Sequence, residues 1–334
     1  MLRLPDAWVW DSWLVDDGST YHLFFLYASR ALKDPEARHR RASVGHAVSD
    51  DLTRWERVAD ALVRSDAPAF DDLAIWTGSV VRHPDGPWCM FYTGATVDPV
   101  TELVVQTIGC ATSPDLTTWT KDPGPVLRAD PRWYELAEDG HWHDEAFRDP
   151  WVVADPGGEG WHMLITARSA DGPPGAPDDT VDRGVVGHAW SPDLVSWELR
   201  PPLTGPGQGF GELEVFQLAR VAGRDVLVFN GRRVANPAGA QLRSAPDPGV
   251  WVTAAPSVTG PFDIAGAQQL TDGSLYVGKF IDDRDTGEAR FLAFRNVVDG
   301  EFVGEITDPM RASWAGDRLV LSTLDGEPAV PDVG

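Results

Sequence analysis

The sequence predicts an all-β chain folded as a five-bladed β-propeller, with four-stranded antiparallel blades and no C-terminal β-sandwich. Three observations predict it. A strand–turn–strand phrase returns five times, its anchor residues 62 to 70 positions apart. A second, Trp-bearing phrase returns between the copies. No stretch keeps an apolar helical period long enough to build the helical ring of a TIM barrel. One sheet per repeat at a near-constant period signals radial repetition. Five copies account for nearly all of the 334 residues, so 1–334 is expected to be one domain.

The five copies run WVWDSWLVDDGSTYHLFFLY around Asp11, WTGSVVRHPDGPWCMFYTG around Ser79, FRDPWVVADPGGEGWHMLITAR around Asp149, GELEVFQLARVAGRDVLVFN around Glu214 and GSLYVGKFIDDRDTGEARFLAFRN around Tyr276. Each joins two apolar runs through a polar, Gly-containing turn, the sequence form of a β-hairpin. The intervening phrase reads GHAVSDDLTRWERV, GCATSPDLTTWTKD and GHAWSPDLVSWELR. In each, a strand of small residues meets a turn of the Ser-Pro-Asp-Leu type, and an edge strand carrying Trp55, Trp119 or Trp197 follows. WVTAAPSVTGPFDI reads as a degenerate fourth copy with Phe262 in the Trp position, and His46 and His188 of the GHA pieces read as structural. GEITDPMRASWAGDRLVLS is expected to supply the last strands and close the ring against the N-terminus. The irregular stretches 28–43, 121–146 and 168–185 belong on the loop face, as the rim of a pocket.

A formal charge of −23 excludes nucleic acid and an anionic membrane surface as partners, since both need a basic face. It suits a neutral small-molecule substrate. No run is long and apolar enough to span a bilayer, and MLRLPDAWVWDSW lacks the pattern of a secretory signal, so a cytoplasmic location is expected. Cys89 and Cys110 are too few for a disulfide framework and show no metal-ligand spacing; they read as buried free thiols. No calcium-loop spacing is present, and neither a metal nor a cofactor is expected. Nothing in the pattern speaks to oligomeric state. Most of the fifteen Trp must serve blade packing, with a few left as platforms for sugar rings.

Glycoside cleavage needs two carboxyl groups across the scissile bond, one to attack or activate water and one to protonate the leaving oxygen. Asp11, Asp149 and Glu214 occupy matching places in three repeats. A lone carboxylate at a strand start is ordinary. Three at equivalent, Trp- and Phe-flanked positions are not, because burying such charges unpaired is expensive. Arg148 is positioned to pair with one of them or to grip substrate hydroxyls.

WVWDSW at 8–13, WTGS at 76–79, FRDP at 147–150 and GELEVFQ at 211–217 together resemble glycoside hydrolase families 32 and 68, the five-bladed-propeller β-fructosidases. The Trp10-Asp11-Ser12-Trp13 run and the Glu212/Glu214 pair are similar to the levansucrase versions of those motifs. The resemblance implies a retaining enzyme that cleaves β-fructofuranosides (sucrose or short fructo-oligosaccharides) through a fructosyl-enzyme intermediate, with fructosyl transfer as a companion activity. It implies Asp11 as nucleophile, Glu214 as general acid then base, and Asp149 as the group that holds fructose hydroxyls. Trp10, Trp76 and Ser79 would line the fructose pocket, Arg148 and Glu212 would lie near the leaving group, and Arg232 and Tyr276 would add contacts. The chain departs from the pattern at Val215-Phe216-Gln217, where the invertases carry Cys-Pro-Asp. Two other readings stay open: an inverting arabinanase- or xylosidase-type propeller similar to family 43, and a non-catalytic propeller that binds sugars. On the retaining reading, the protonated acid is expected to be a Glu raised by an apolar wall, and the nucleophile an Asp kept ionised by hydroxyl or backbone donors.

Overall fold

The computed structural model describes residues 1–84, 86–177, 180–234 and 248–329, and within them forms a five-bladed β-propeller. Blade one comprises β1 (Ala7–Asp16), β2 (Tyr21–Ser29), β3 (Ser43–Ser49) and β4 (Glu56–Arg57). Blade two comprises β5 (Ala74–Arg82), β6 (Trp88–Val97), β7 (Val104–Ser113) and β8 (Thr120–Lys121). Blade three comprises β9 (Phe147–Ala154), β10 (Trp161–Arg168), β11 (Gly184–Ser191) and β12 (Glu198–Arg200). Blade four comprises β13 (Glu214–Val221), β14 (Arg224–Gly231), β15 (Gly249–Ala254) and β16 (Gln268–Gln269). Blade five comprises β17 (Leu275–Asp282), β18 (Ala289–Val298), β19 (Glu301–Ile306), β20 (Met310–Ala315) and β21 (Arg318–Ser322). The first four sheets are four-stranded meanders. The fifth differs from the four-strand expectation because β19 pairs with one end of β18 before β20 and β21 complete the sheet.

The first strand of each blade is innermost, and neighbouring first strands meet in a ring around the axis. The ring closes at the N-terminus as the C-terminal run predicts: Leu2 and Ile306 exchange backbone hydrogen bonds of 3.1 and 3.0 Å. Apolar side chains on facing blades form the core between them. Phe24 of blade one meets Trp119 of blade two edge-on, and Phe91 of blade two meets Trp197 of blade three in the same way. Each buried aromatic of this kind contributes roughly 1.5–3 kcal/mol over its exposed state.

The second phrase folds identically three times. Asp51, Asp115 and Asp193 each accept two backbone N–H groups two and three residues on. That cap holds Leu52, Leu116 and Leu194 in the left-handed region, at φ of 63, 62 and 62°. Each following indole, Trp55, Trp119 or Trp197, donates to the carbonyl of that leucine at 3.0–3.2 Å. The fourth copy differs. Phe262 has no indole N–H to donate, and it is buried in a loop while the edge strand forms later, at β16.

His46 and His188 lie inside blades, hydrogen-bonded at 2.9 Å to His22 and His162 respectively. The corresponding places in blade two are held by Cys89 and Cys110, both buried and free. Among the described residues no helix is long and apolar enough to cross a membrane.

Candidate active site

Every innermost strand carries a one-residue bulge at the same height. The register against the second strand slips between Trp10 and Ser12, Trp76 and Gly78, Arg148 and Trp151, Glu214 and Gln217, and Tyr276 and Lys279. A regular strand sends successive side chains to opposite faces, whereas a bulge re-aims one of them. Adjacent residues therefore reach one pocket together: Trp10 with Asp11, Trp76 with Thr77, Arg148 with Asp149. Glu212 joins Glu214 from the loop before β13, and Tyr276 enters from blade five.

The bulges of blades three, four and five place Asp149, Val215 and Val277 in the left-handed region, at φ of 55, 51 and 47°. Non-glycine residues pay for that conformation with about 1–2 kcal/mol each. In each case the preceding blade supplies a polar peg. Thr93 Oγ1 accepts the Asp149 N–H at 2.8 Å, Thr166 Oγ1 accepts the Val215 N–H at 3.2 Å, and Asn230 Oδ1 accepts the Gly278 N–H at 3.3 Å. Beneath them the buried Lys279 donates to the carbonyls of Val215 and Phe216 at 3.3 and 2.7 Å. Burial presses its ammonium down to about 7, against the pull of Asp149 and Asp11.

Arg148 organises the acidic half of the pocket. Its Nε lies 3.3 Å from Asp149, its Nη1 2.8 Å from Glu212 and its Nη2 2.6 Å from Glu214. Gln106 accepts a further bond from Nη1 at 3.2 Å. Burial alone would favour neutral arginine, but the three carboxylates keep its pKa well above the usual value. Glu212 is the mirror case: burial works to raise it, and the charge and hydrogen bond of Arg148 hold it below the ordinary range. The Tyr276 hydroxyl donates to Glu214 Oε2. Asp149 accepts from Thr166 at 2.9 Å, yet burial lifts it to about 7 against Arg148.

Asp11 sits across the pocket, where Thr77 donates to it at 2.5 Å. Burial raises its carboxyl to about 6 despite that bond, and the charge of Glu214 adds to the rise. One hydroxyl donor does not offset desolvation, so Asp11 takes on its charge near pH 6 rather than in the ordinary carboxylate range. The pocket is about 530 Å³, within the roughly 300–1,000 Å³ of small-molecule sites.

Eight of the ten sequence-derived positions line this one pocket: Trp10, Asp11, Trp76, Arg148, Asp149, Glu212, Glu214 and Tyr276. Ser79 does not. It is buried two residues past the bulge, and its Oγ accepts the Val152 N–H at 3.1 Å between blades two and three. Thr77, the inserted residue of the bulge, takes its place, and the tripeptide Trp76-Thr77-Gly78 held a signal, because the Gly after the hydroxyl marks a close backbone approach where a Cβ would clash with the Phe91 carbonyl oxygen. Arg232 is also outside the lining; the chain leaves β14 at Gly231 and the side chain is exposed. The stretch 28–43 contributes Glu36, Arg38, His39 and Arg40 to the rim, and 121–146 contributes His143 and Asp144. The stretch 168–185 contributes no described lining residue. Its Asp182 instead accepts the N–H groups of Gly209 and Phe210, bracing the loop that leads to Glu212. Among the described residues no group of three or more His, Cys, Asp or Glu is arranged to hold a metal ion.

Comparison with known proteins gives one consistent match. Residues 11–301 fit the model of the glycosyl hydrolases family 32 N-terminal domain. An insoluble β-fructofuranosidase isoenzyme of Arabidopsis thaliana is 29% identical over 209 residues, covering 61% of this chain and 34% of that protein. A sucrose:sucrose 1-fructosyltransferase of Festuca arundinacea is 26% identical over 216 residues, covering 64% of this chain and 29% of that protein. The matched segments thus span about a third of the length of these curated relatives. Among solved structures, an inulosucrase from Halalkalicoccus jeotgali bound to kestose superposes with a TM-score of 0.75 at 21% identity, covering 100% of this chain and 93% of that one. A family 32 β-fructofuranosidase of Bombyx mori superposes with a TM-score of 0.73 at 20% identity, covering 97% and 64%. At such identities the superpositions speak for the fold.

Proposed function

The chain belongs to glycosyl hydrolase family 32, and from that premise we propose that it is a retaining β-fructofuranosidase acting on sucrose or short fructo-oligosaccharides, with fructosyl transfer to sugar acceptors as a second outcome of the same intermediate. The observation that carries the reading is the single pocket in which Arg148 ties together Asp149, Glu212 and Glu214 while Asp11 stands apart on Thr77. Asp11 thus stands outside that ion-pair cluster, with its attacking carboxylate held by the Thr77 hydroxyl.

Asp11 attacks the anomeric carbon of the fructosyl unit, and the bond to the leaving oxygen breaks as Glu214 delivers its proton there. The product is a fructosyl ester on Asp11. Glu214, now ionised, takes a proton from water or from an acceptor hydroxyl, which attacks the same carbon and restores Asp11. Two inversions give retention. Asp149 holds hydroxyls of the ring, and its raised value near 7 lets it serve as donor or acceptor. Arg148 and Tyr276 keep Glu214 oriented between the two steps. Partition between water and sugar acceptor turns on a few kcal/mol in the leaving-group side of the pocket.

The test is incubation of wild type and Asp11→Asn with sucrose, following glucose and fructose separately. Equal release that vanishes in the variant means hydrolysis through Asp11. Glucose in excess of fructose means transfer. Absence of release from sucrose, inulin and levan alike would sink the reading, and inversion of configuration on an aryl arabinoside would replace it.

A further inference from the structure

Arg168 ends β10 and is fully buried beside the loop that leads to Glu212. Its guanidinium ties together three loops that are distant in sequence. Nε donates to Glu135 Oε2 at 3.0 Å. Nη1 donates to the carbonyls of Val181 at 3.0 Å and Gly211 at 2.6 Å. The group lies 4.0 Å from the centre of the Trp142 ring, as a cation over an aromatic face. The same indole closes over Gly211, where a Cβ would meet Cη2 at 3.0 Å. His143 leans on that indole in turn, with ring centres 4.8 Å apart.

The arrangement is costly. Glu135 is also buried, and its Oε1 and the Nη2 of Arg168 have no hydrogen-bond partner among the described residues. A buried ion pair with such gaps is a poor source of stability, because desolvation consumes the Coulomb gain. What the pair achieves is directional. Gly211 precedes Glu212, and Trp142 precedes His143 and Asp144, so two of the three fastened loops deliver residues that line the pocket. Glu212 then receives Arg148 Nη1, while Nη2 of the same arginine holds Glu214. We propose that Arg168 is a positioning residue: by fastening the Gly211 carbonyl and the Trp142 ring, it fixes the wall against which the leaving-group sugar binds. This rests on the β-fructofuranosidase reading, which puts the leaving oxygen beside Glu214 and hence its sugar beside Glu212 and His143. Asp11 is held independently, by Thr77 of blade two, so the fructosyl unit keeps its seat when Arg168 is changed.

The experiment titrates sucrose and free fructose calorimetrically into Asp11→Asn, which lacks the attacking carboxylate, and into Asp11→Asn combined with Arg168→Met or Arg168→Lys. Arg168→Met should weaken sucrose binding about tenfold and fructose binding less than twofold. Arg168→Lys keeps a cation near Gly211 but loses the fork to Glu135. It should fall between, and it carries the test if the Met variant does not fold. Equal weakening of both sugars would assign Arg168 to the fold alone and overturn the proposal, as would unchanged sucrose binding. Turnover with Asp11 restored gives a second readout: the KM for sucrose should rise about tenfold in Arg168→Met, with kcat within threefold of wild type. A fall in kcat at constant KM counts against the wall. A wild type that cleaves no fructoside removes the proposed activity and leaves the titration decisive, since selective weakening of sucrose still supports Arg168. Binding of neither sugar to Asp11→Asn overturns it.

Discussion

The two halves of the pocket are held by different physics. On the side of blades three, four and five, each bulge forces a non-glycine residue into the left-handed region, and a polar side chain of the preceding blade satisfies the N–H thus exposed: Thr93 for Asp149, Thr166 for Val215, Asn230 beside Val277. On the side of blades one and two, the bulges at Asp11 and Thr77 stay out of that region. The residues in the peg positions there, Phe294 and Leu26, are apolar, and both are buried. The half that carries Glu214, the proposed acid, is therefore a strained backbone pinned by hydrogen bonds, and the half that carries Asp11, the proposed nucleophile, is a relaxed backbone set by packing. A general acid must keep its orientation through two proton transfers, whereas a nucleophile needs a clear line to the anomeric carbon and an ionised oxygen.

The comparison can be broken most sharply at its two carboxylates. Glu214→Gln is expected to cost about 10²–10⁴-fold in kcat on sucrose, and much less on an aryl fructoside whose leaving group needs no proton. Equal losses on both substrates would remove Glu214 from the acid role. Next in size is the contrast of pegs. Thr166→Val strips the acceptor from the Val215 N–H and the donor from Asp149, and should cost about 1–3 kcal/mol of stability together with a clear fall in kcat. Leu26→Met, in the corresponding position of blade one, should cost less than about 1.5 kcal/mol. Denaturant midpoints that fall together for the two variants would abolish the distinction.

A pH profile sharpens the nucleophile side. Burial holds Asp11 at about 6 rather than the ordinary 3.8, so activity should fall as pH drops through 6 and the nucleophile takes up its proton. Thr77→Val removes the bond that opposes this rise, and the acid limb of kcat/KM should then move to higher pH. A limb that stays fixed would assign it to another group. The raised value has a stability consequence of the opposite kind to a salt-bridged carboxylate. The folded chain retains a proton on Asp11 between about pH 4 and 6 that the unfolded chain has released, so ionisation weakens the fold as pH rises through that window. Asp11→Asn should therefore raise stability at pH 7, by on the order of 1–3 kcal/mol, while abolishing turnover. Val277→Gly relieves a left-handed residue but empties a buried core position, so stability should fall by about 1–2 kcal/mol, the strain relief offsetting only part of the lost packing.

Much of the architecture was legible because propeller repetition writes itself along the chain. The hairpin phrase and the Asp-Leu-Trp turn recur in register, and each turn folds by contacts within four residues, so Asp51, Leu52 and Trp55 need nothing distant to adopt their arrangement. The extra strand β19 was not legible, since it depends on pairing with one end of β18 and on the closure at Leu2. The site was legible as a set of residue types in matching repeats, which is enough to group Asp11, Asp149 and Glu214. The error at Ser79 and the omission of Thr77 share one cause. Strand alternation is read with period two, and a bulge of one residue breaks the period at the very height of the pocket.

Repeat number, antiparallel blades, acidic character and the carboxylates that face the axis each follow from local pattern or from composition, and so are written along the chain. Which hydroxyl serves Asp11, the hold of Arg148 on three carboxylates and the place of Arg38 in the pocket wall arise only on folding. Those depend on bulges, on pegs from neighbouring blades and on stacking between residues as far apart as Arg38 and Phe302, and distance in sequence carries no record of them.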